Sequence, residues 1–133
     1  MAALVTYLDA VGRHLCPRGL ITEEVRVFSP GQNYDLSASM TLRPAHSATR
    51  YRVGWHEELG WWIATTTDPD STGPSARWLG CLFPPAGQVA ELLDTATRRG
   101  IEHDVPPRVL RYRLTADESI VASLRRAAGE PPG

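Results

Sequence analysis

The stretch WHEELGWW, residues 55–62, contains the residues of this chain whose types and spacing come nearest to a chemical site. His56, Glu57 and Glu58 are consecutive, and a histidine beside carboxylates can act as an acid–base set. Catalytic carboxylates, however, need burial or a charged neighbour to shift their pKa, and a short turn exposes its side chains on most sides. We therefore predict that the two glutamates are solvent-exposed and serve solubility, and that this stretch is not catalytic.

Other catalytic and metal-binding patterns are weaker. His14 and Cys16 lie two residues apart in a predicted helix, which points their side chains about 200° apart and makes a shared metal ion difficult to hold. Cys16 and Cys81 form no CxxC motif, and we expect both to be reduced and partly buried. The sequence has no nucleophile elbow, phosphate-binding loop or dinucleotide-binding glycine pattern. We predict no catalytic residue, cofactor or metal site, and favour a protein that is not an enzyme.

Length and composition are typical of one globular domain. The chain has 133 residues, 42% hydrophobic and 22% charged, and we predict a single domain over residues 1–129 with a flexible tail at 130–133. No apolar run is long enough to span a membrane, and the first residues lack the basic region and cleavage site of an export signal. We therefore expect a cytoplasmic protein with no membrane partner.

The charge pattern argues against general electrostatic capture of nucleic acid, because the formal net charge is −1. All fourteen basic residues are arginine, a bias typical of GC-rich genomes. Seven of them lie between Arg98 and Arg126, and Arg108, Arg111 and Arg113 fall on or beside a predicted strand. We interpret these three as solvated outer-face residues, with phosphate contact as the less favoured alternative.

Three helices are predicted from apolar residues at helical spacing and from their end signals. The first covers residues 4–15, and the second begins near the prolines 84–85 and ends before Gly100. The third follows the capping box Thr115-x-x-Glu118 and ends at Gly129.

Alternation of apolar and polar residues predicts a run of strands before the second helix. The clearest covers residues 36–43, whereas residues 21–28 alternate with one misfit on each face. A hairpin around residues 51–67 and a strand over 76–83 follow, and a further short strand is predicted at 109–114. Short connections favour an antiparallel meander. The predicted fold class is α+β with two layers, in which four to five strands carry the N-terminal and C-terminal helices on one face.

The hairpin poses a question of register, because neighbouring side chains of a strand point to opposite faces of a sheet. If Trp55 pairs with Trp61, Trp62 lies outside beside Arg52. If instead Trp55 and Gly60 close a four-residue loop, Trp61 is the outward residue. The outward indole is either covered by an arginine stem or a loop, or forms a contact surface for another chain, or stacks on a small molecule.

The surplus tryptophan favours a non-enzymatic protein-binding or adaptor domain that self-associates, as a homodimer, through a sheet face or this hairpin. The predicted protein-contact residues are Arg52, Trp55, His56, Glu57, Glu58, Trp61 and Trp62. One alternative is a small enzyme or small-molecule-binding domain with a pocket between sheet and helices, near His46, His56 or His103. A further alternative is a DNA-associated regulator that uses residues 108–113.

The sequence also resembles a group of small actinobacterial proteins of uncharacterised function over roughly residues 4–97. The resemblance rests on a helix motif, a hairpin motif and a helix-entry motif, with Tyr7, Ala10 and Val11, then Trp55, Glu57, Gly60 and Trp61, then Pro85, Val89 and Ala90. His56 and Trp62 depart from the pattern. The resemblance implies an actinobacterial source and carries no activity, cofactor or catalytic residue.

Overall fold

The protein is a five-stranded antiparallel sheet with helices on one face. The computed structural model describes residues 2–28, 36–65, 76–99, 108–112 and 119–129. Their elements, in chain order, are α1 (Ala2–Leu15), a 3-10 turn (Cys16–Arg18), β1 (Leu20–Phe28), β2 (Ser37–Pro44), β3 (Tyr51–His56), β4 (Gly60–Thr65), β5 (Ala76–Trp78), α2 (Ala86–Arg99) and α3 (Ile120–Ala127). The strands are ordered β1-β2-β3-β4-β5. This confirms the predicted α+β meander.

The helices form because their apolar residues recur on one side and bury against the sheet. In α1 the buried stripe includes Leu4, Leu8, Val11 and Leu15, as the spacing predicts. Gly19 ends the 3-10 turn after α1 in the left-handed conformation, with φ 75°, and its N–H donates to the carbonyl of Cys16. In the described part of the chain, none of the helices is long and apolar enough to cross a membrane.

Helix α3 begins later than its predicted capping box. Its first residue is Ile120, and the Ser119 hydroxyl caps it by accepting a hydrogen bond from the N–H of Ala122. The predicted cap residues Thr115 and Glu118 lie outside the described residues, as does the predicted tail. Ser119 supplies the same hydroxyl acceptor as a threonine cap, but the residue three positions later is Ala122, so the observed cap is a single serine and not the predicted capping box.

Strand β1 contains a bulge that the sequence did not predict. Glu23 pairs with Thr41 and Arg26 with Ser39, so β1 advances three residues where β2 advances two. Glu24, within the bulge, has a φ of 52°. The extra residue corrects the predicted alternation over residues 21–28, because it moves Val27 to the helix-covered face and Arg26 to the opposite face.

The register of the β3–β4 hairpin confirms the first of the two alternatives. Trp55 pairs with Trp61, and Gly54 pairs with Trp62. The inner face of the sheet, against the helices, therefore carries the large buried side chains: Met40, Leu42, Tyr51, Val53, Trp55, Trp61 and Ile63. The outer face carries the residues between them, whereas the buried residues of α1, α2 and α3 belong to the core cluster on the inner face.

Two of the predicted strands differ from the structure. Strand β5 stops at Trp78, well short of the predicted end at residue 83. The chain nevertheless stays beside β4, since the N–H of Leu79 donates to the carbonyl of Trp61 and the N–H of Trp61 to that of Cys81. Residues 109–112 form no strand, and the rest of that predicted strand lies outside the described residues.

Gly54 is required because Trp62 lies over it. A Cβ at this position would be 2.1 Å from Cε2 of the Trp62 ring. We expect Gly54→Ala to lower the free energy of unfolding by about 1–3 kcal/mol, because the ring must leave its place. Urea unfolding measures this, with Ser39→Ala on the paired residue of β2 as the control. In a Trp62→Ala background the cost of Gly54→Ala should disappear; a cost that persisted would contradict this account.

Candidate functional site

Two of the predicted contact tryptophans lie in the core. Trp55 and Trp61 are both 0% exposed. The indole N–H of Trp55 donates to the carbonyl of Leu82 at 2.8 Å, and that of Trp61 donates to the hydroxyl of Tyr7 at 3.2 Å. A buried indole N–H needs such a partner. In this structure neither ring can touch another molecule, so both residues hold the hairpin in place.

Tyr7 connects the hairpin to the chain before α2. Its hydroxyl donates to the carbonyl of Pro84 at 2.6 Å while accepting from Trp61. The rings of Tyr7 and Trp61 meet edge to face, with centroids 5.6 Å apart. Burial raises the pKa of Tyr7 far above its ordinary value; the hydrogen bond from Trp61 lowers the pKa by less.

Trp62 is the outward indole. It is half-buried, since one side lies on Gly54 and its ring centroid is 6.2 Å from that of Trp78 at an interplanar angle of 47°. Trp78 is opposite Trp62 on the neighbouring strand and is also half-buried. The outer face therefore carries a pair of indoles that are only partly covered. Trp78 was not among the predicted contact residues, although the sequence predicted that it lies in a short apolar strand that follows the hairpin.

The turn of the hairpin is not the exposed acidic turn that the sequence predicts. Glu57 is only 3% exposed, and its Oε1 accepts a hydrogen bond from the N–H of Leu36 at 3.0 Å. Its Oε2 lies 3.8 Å from Nη1 of Arg111. Burial of a carboxylate costs free energy unless it is hydrogen-bonded and paired with a charge, and both conditions are met here. Glu57 ties the start of β2 and the segment 108–112 to the hairpin.

Segment 108–112 has no regular secondary structure and contacts the turn through its backbone. The carbonyl of Glu58 accepts hydrogen bonds from the N–H groups of Leu110 and Arg111, at 2.7 and 3.3 Å. The side chain of Arg111 is 14% exposed, so the prediction of a solvated outer-face arginine is wrong for this residue. Arg108 is exposed, and Arg113 lies outside the described residues. Of the three arginines named for phosphate contact, one therefore faces the interior.

His56 and Glu58 complete the turn. The Nδ1 of His56 accepts a hydrogen bond from the backbone N–H of Glu58 at 3.0 Å, which closes the turn locally. Both residues are partly exposed, and Arg52 is exposed on the outer face. Of the seven predicted contact residues, the accessible ones are therefore Arg52, His56, Glu58 and Trp62, whereas Trp55, Glu57 and Trp61 are enclosed.

A hollow of about 430 Å³ lies on the outer face beside these residues. Strands β1, β2 and β3 and the loop before β3 all contribute to its lining: Glu24, Arg26, Ser39, Met40, Thr41, Arg50 and Arg52. Of these residues the sequence predicts a contact role for Arg52 alone, because Arg26 lies on the outer face only as a result of the bulge in β1. We call this feature the arginine hollow.

A second groove of about 430 Å³ bears on the small-molecule alternative. It includes His46, Arg18, Arg98 and the buried carboxylate of Asp94, which pairs with both arginines at 2.8 and 3.0 Å. The cationic groups of this groove thus have a carboxylate partner within the fold. His46 lies in the loop between β2 and β3, His56 is the last residue of β3, and His103 lies outside the described residues.

The cysteines and possible metal ligands do not converge. Cys16 is exposed, against expectation, whereas Cys81 is half-buried as predicted, and both thiols are free. Burial raises the pKa of the Cys81 thiol. Within the described residues no group of three or more histidine, cysteine, aspartate or glutamate side chains is placed to hold a metal ion.

Comparison of the chain with protein-family models, with curated proteins and with solved structures finds no match. The features of the molecule that bear on function are therefore the outer face, the arginine hollow and the hairpin.

The burial of the Tyr7 hydroxyl can be tested through the dependence of the unfolding free energy on alkaline pH. In the folded protein the raised pKa keeps the Tyr7 hydroxyl protonated above pH 10, whereas the unfolded chain releases this proton near pH 10. The stabilisation is thus complete below about pH 10 and is lost as the pH rises. The chain contains no lysine, whose titration would otherwise overlap that of tyrosine near pH 10.

We expect Tyr7→Phe to cost about 1–3 kcal/mol of unfolding free energy at neutral pH, because Pro84 and Trp61 lose their partner. The gap to the wild type should narrow above about pH 10, because only the wild type has the Tyr7 proton to lose on unfolding, whereas the raised pKa of Cys81 affects both proteins alike. Urea unfolding at several pH values measures both effects, with the exposed Tyr112→Phe as the control. A gap independent of pH would contradict the proposed burial of Tyr7.

Glu57 offers a second test. We expect Glu57→Gln to cost about 1–3 kcal/mol, because the charge beside the enclosed Arg111 is lost while side-chain shape is kept. The matched control is Glu91→Gln, an exposed position on α2. The effects of Glu57→Gln and Arg111→Gln should be less than additive in urea unfolding. Equal costs at Glu57 and Glu91 would show that the buried contacts contribute nothing.

Proposed function

We propose that this protein is a non-enzymatic binding domain that docks a protein partner on the outer face of its sheet. The observation that supports this is the pair Trp62–Trp78, which is partly exposed on a face that no described helix covers. Tryptophan provides large contact area with little loss of side-chain freedom, and it is enriched among residues that dominate binding energy.

The surroundings of the pair match the composition of protein interfaces. Arginine and aromatic residues are enriched in interfaces, and Arg52 lies two residues from Gly54, the residue that Trp62 covers. The hairpin that carries Trp62 is anchored by Trp55 and Trp61 in the core. A rigidly held indole loses little entropy on binding, which favours its use as an anchor.

Because Trp55, Glu57 and Trp61 are buried, fewer hairpin residues can contact a partner than the sequence predicts. Glu57 and Arg111 hold the turn to segment 108–112 and so belong to the support of the surface. The proposed contact residues are Arg52, Trp62 and Trp78, with His56 at the edge. Self-association through the same face remains one form of this proposal, in which the partner is a second copy of the chain.

The test is quantitative binding with outer-face variants. Proteins retained from an extract of the source cells by the immobilised wild type are identified, purified and titrated calorimetrically. We expect Trp62→Ser and Trp78→Ser each to weaken the affinity by at least about tenfold, the effect of losing a central aromatic contact. Light scattering on the same variants shows whether the partner is a second copy.

The control is Val5→Ser, which removes a 51% exposed apolar residue from α1, in the other layer of the fold. Its affinity should equal that of the wild type, and thermal unfolding should confirm that the variants remain folded. Two outcomes would contradict the proposal: a partner that binds both tryptophan variants as tightly as the wild type, or a monomeric wild type that retains no protein.

A further inference from the structure

The arginine hollow gathers side chains that are far apart in sequence. Arg26 comes from β1 after the bulge, Arg52 from β3, and Arg50 from the loop before β3. Ser39 and Thr41 of β2 lie between them, since Arg26 pairs with Ser39 and Thr41 with Arg52. Neighbouring strands are about 5 Å apart, so β1 and β3 are about 10 Å apart and the long arginine side chains can converge above β2.

The charge of the hollow is not balanced within it. Besides Arg50, which has an interaction of its own, its lining contains two arginines, Arg26 and Arg52, and a single carboxylate, that of Glu24. Among the described residues neither Arg26 nor Arg52 forms an ion pair or a side-chain hydrogen bond.

Other charged residues of the same protein do have partners. On the same face, Arg43 donates two hydrogen bonds to Glu23, at 3.3 and 3.1 Å, and on the helical side Arg18 pairs with Asp94. With a net charge of −1 the chain has enough carboxylates to pair its arginines. The positive charge is therefore concentrated at one place on the sheet, beside the tryptophan pair.

We propose that the arginine hollow binds an acidic, extended segment of a partner protein, whose carboxylates pair with Arg26 and Arg52. This inference rests on the proposed function and names the chemistry of the partner. Guanidinium groups bind carboxylates through two parallel hydrogen bonds, and the hydroxyls of Ser39 and Thr41 add donors at the floor of the hollow.

The spacing fits an extended segment. In an extended chain, side chains that point the same way are about 7 Å apart. Arg52 and Gly54, which Trp62 covers, are separated by the same two-residue step along β3. A segment with an acidic residue over the hollow can therefore place an apolar side chain, two residues later, against Trp62.

Charge argues against a second copy of the chain as the occupant of the hollow. In a symmetric dimer that closed hollow on hollow, each arginine set would face its own copy, and like charges opposite each other disfavour association. Self-association, if present, would therefore use the tryptophan pair without closing the hollow.

Fluorescence anisotropy with three labelled probes tests the inference on the intact protein. The probes are a peptide of alternating glutamate and serine, a peptide of alternating glutamine and serine, and a single-stranded oligodeoxynucleotide. We expect the glutamate peptide to bind the wild type and to bind Arg26→Gln and Arg52→Gln about tenfold more weakly each, as for loss of a charged hydrogen-bonding partner. Binding should weaken as salt is added.

Arg77→Gln is the matched control, because it removes one exposed arginine from β5, outside the hollow. Its affinity for the glutamate peptide should equal that of the wild type. Equal losses in Arg77→Gln and Arg52→Gln, equal binding of the glutamine peptide, or no binding of the glutamate peptide would each overturn the inference. An oligonucleotide that binds more tightly than the glutamate peptide, and that also depends on Arg26 and Arg52, would assign the hollow to nucleic acid instead.

The same experiments distinguish a failure of this inference from a failure of the proposed function. If the glutamate peptide fails to bind while a natural partner still depends on Trp62, the acidic chemistry is wrong and the docking face stands. If peptide binding depends on Arg26 and Arg52 while every natural partner binds Trp62→Ser like the wild type, the hollow stands and the aromatic contact is wrong.

Discussion

The pairing of Trp55 with Trp61 across the β3–β4 hairpin is the constraint on which the rest of this structure depends. Both indoles face the helices, and their N–H groups reach Leu82 and Tyr7. Through Tyr7 the network extends to the carbonyl of Pro84, just before α2. One pair of side chains therefore fixes the positions of α1, the hairpin and the segment that leads into α2. Because side chains alternate along a strand, the same pairing puts Trp62 outside.

The outward position of Trp62 has a structural consequence of its own. Part of the ring is covered because the backbone of Gly54 lies beneath it and Trp78 lies beside it. The burial that this arrangement provides stabilises the ring in one orientation while leaving part of it open. A fully exposed tryptophan would forfeit more burial, and a fully covered one could not bind anything. Partial burial therefore stabilises Trp62 while leaving part of its ring exposed to solvent.

The fold class, the inner-face pattern and the two possible registers could all be predicted from the sequence, because they follow from local periodicity. Features that depend on contacts between distant segments could not. The burial of Glu57 requires Leu36 on one side and Arg111 on the other, and neither is near it in sequence. The cap at Ser119 was missed for a different reason, since a stronger sequence signal, Thr115-x-x-Glu118, stands just before it.

The bulge in β1 affects both the packing of the core and the charge of the outer face. With unbroken alternation after Glu23, Val27 would lie on the outer face and Arg26 would point toward the core. The extra residue reverses both, so that Val27 packs against the core beside Ala38 and Arg26 lies opposite Ser39 on the outer face. A buried arginine without a carboxylate would be costly, and an additional exposed valine would stabilise nothing. The requirement to bury Val27 is therefore sufficient to place Arg26 over β2, and the arginine hollow follows from the packing of the core.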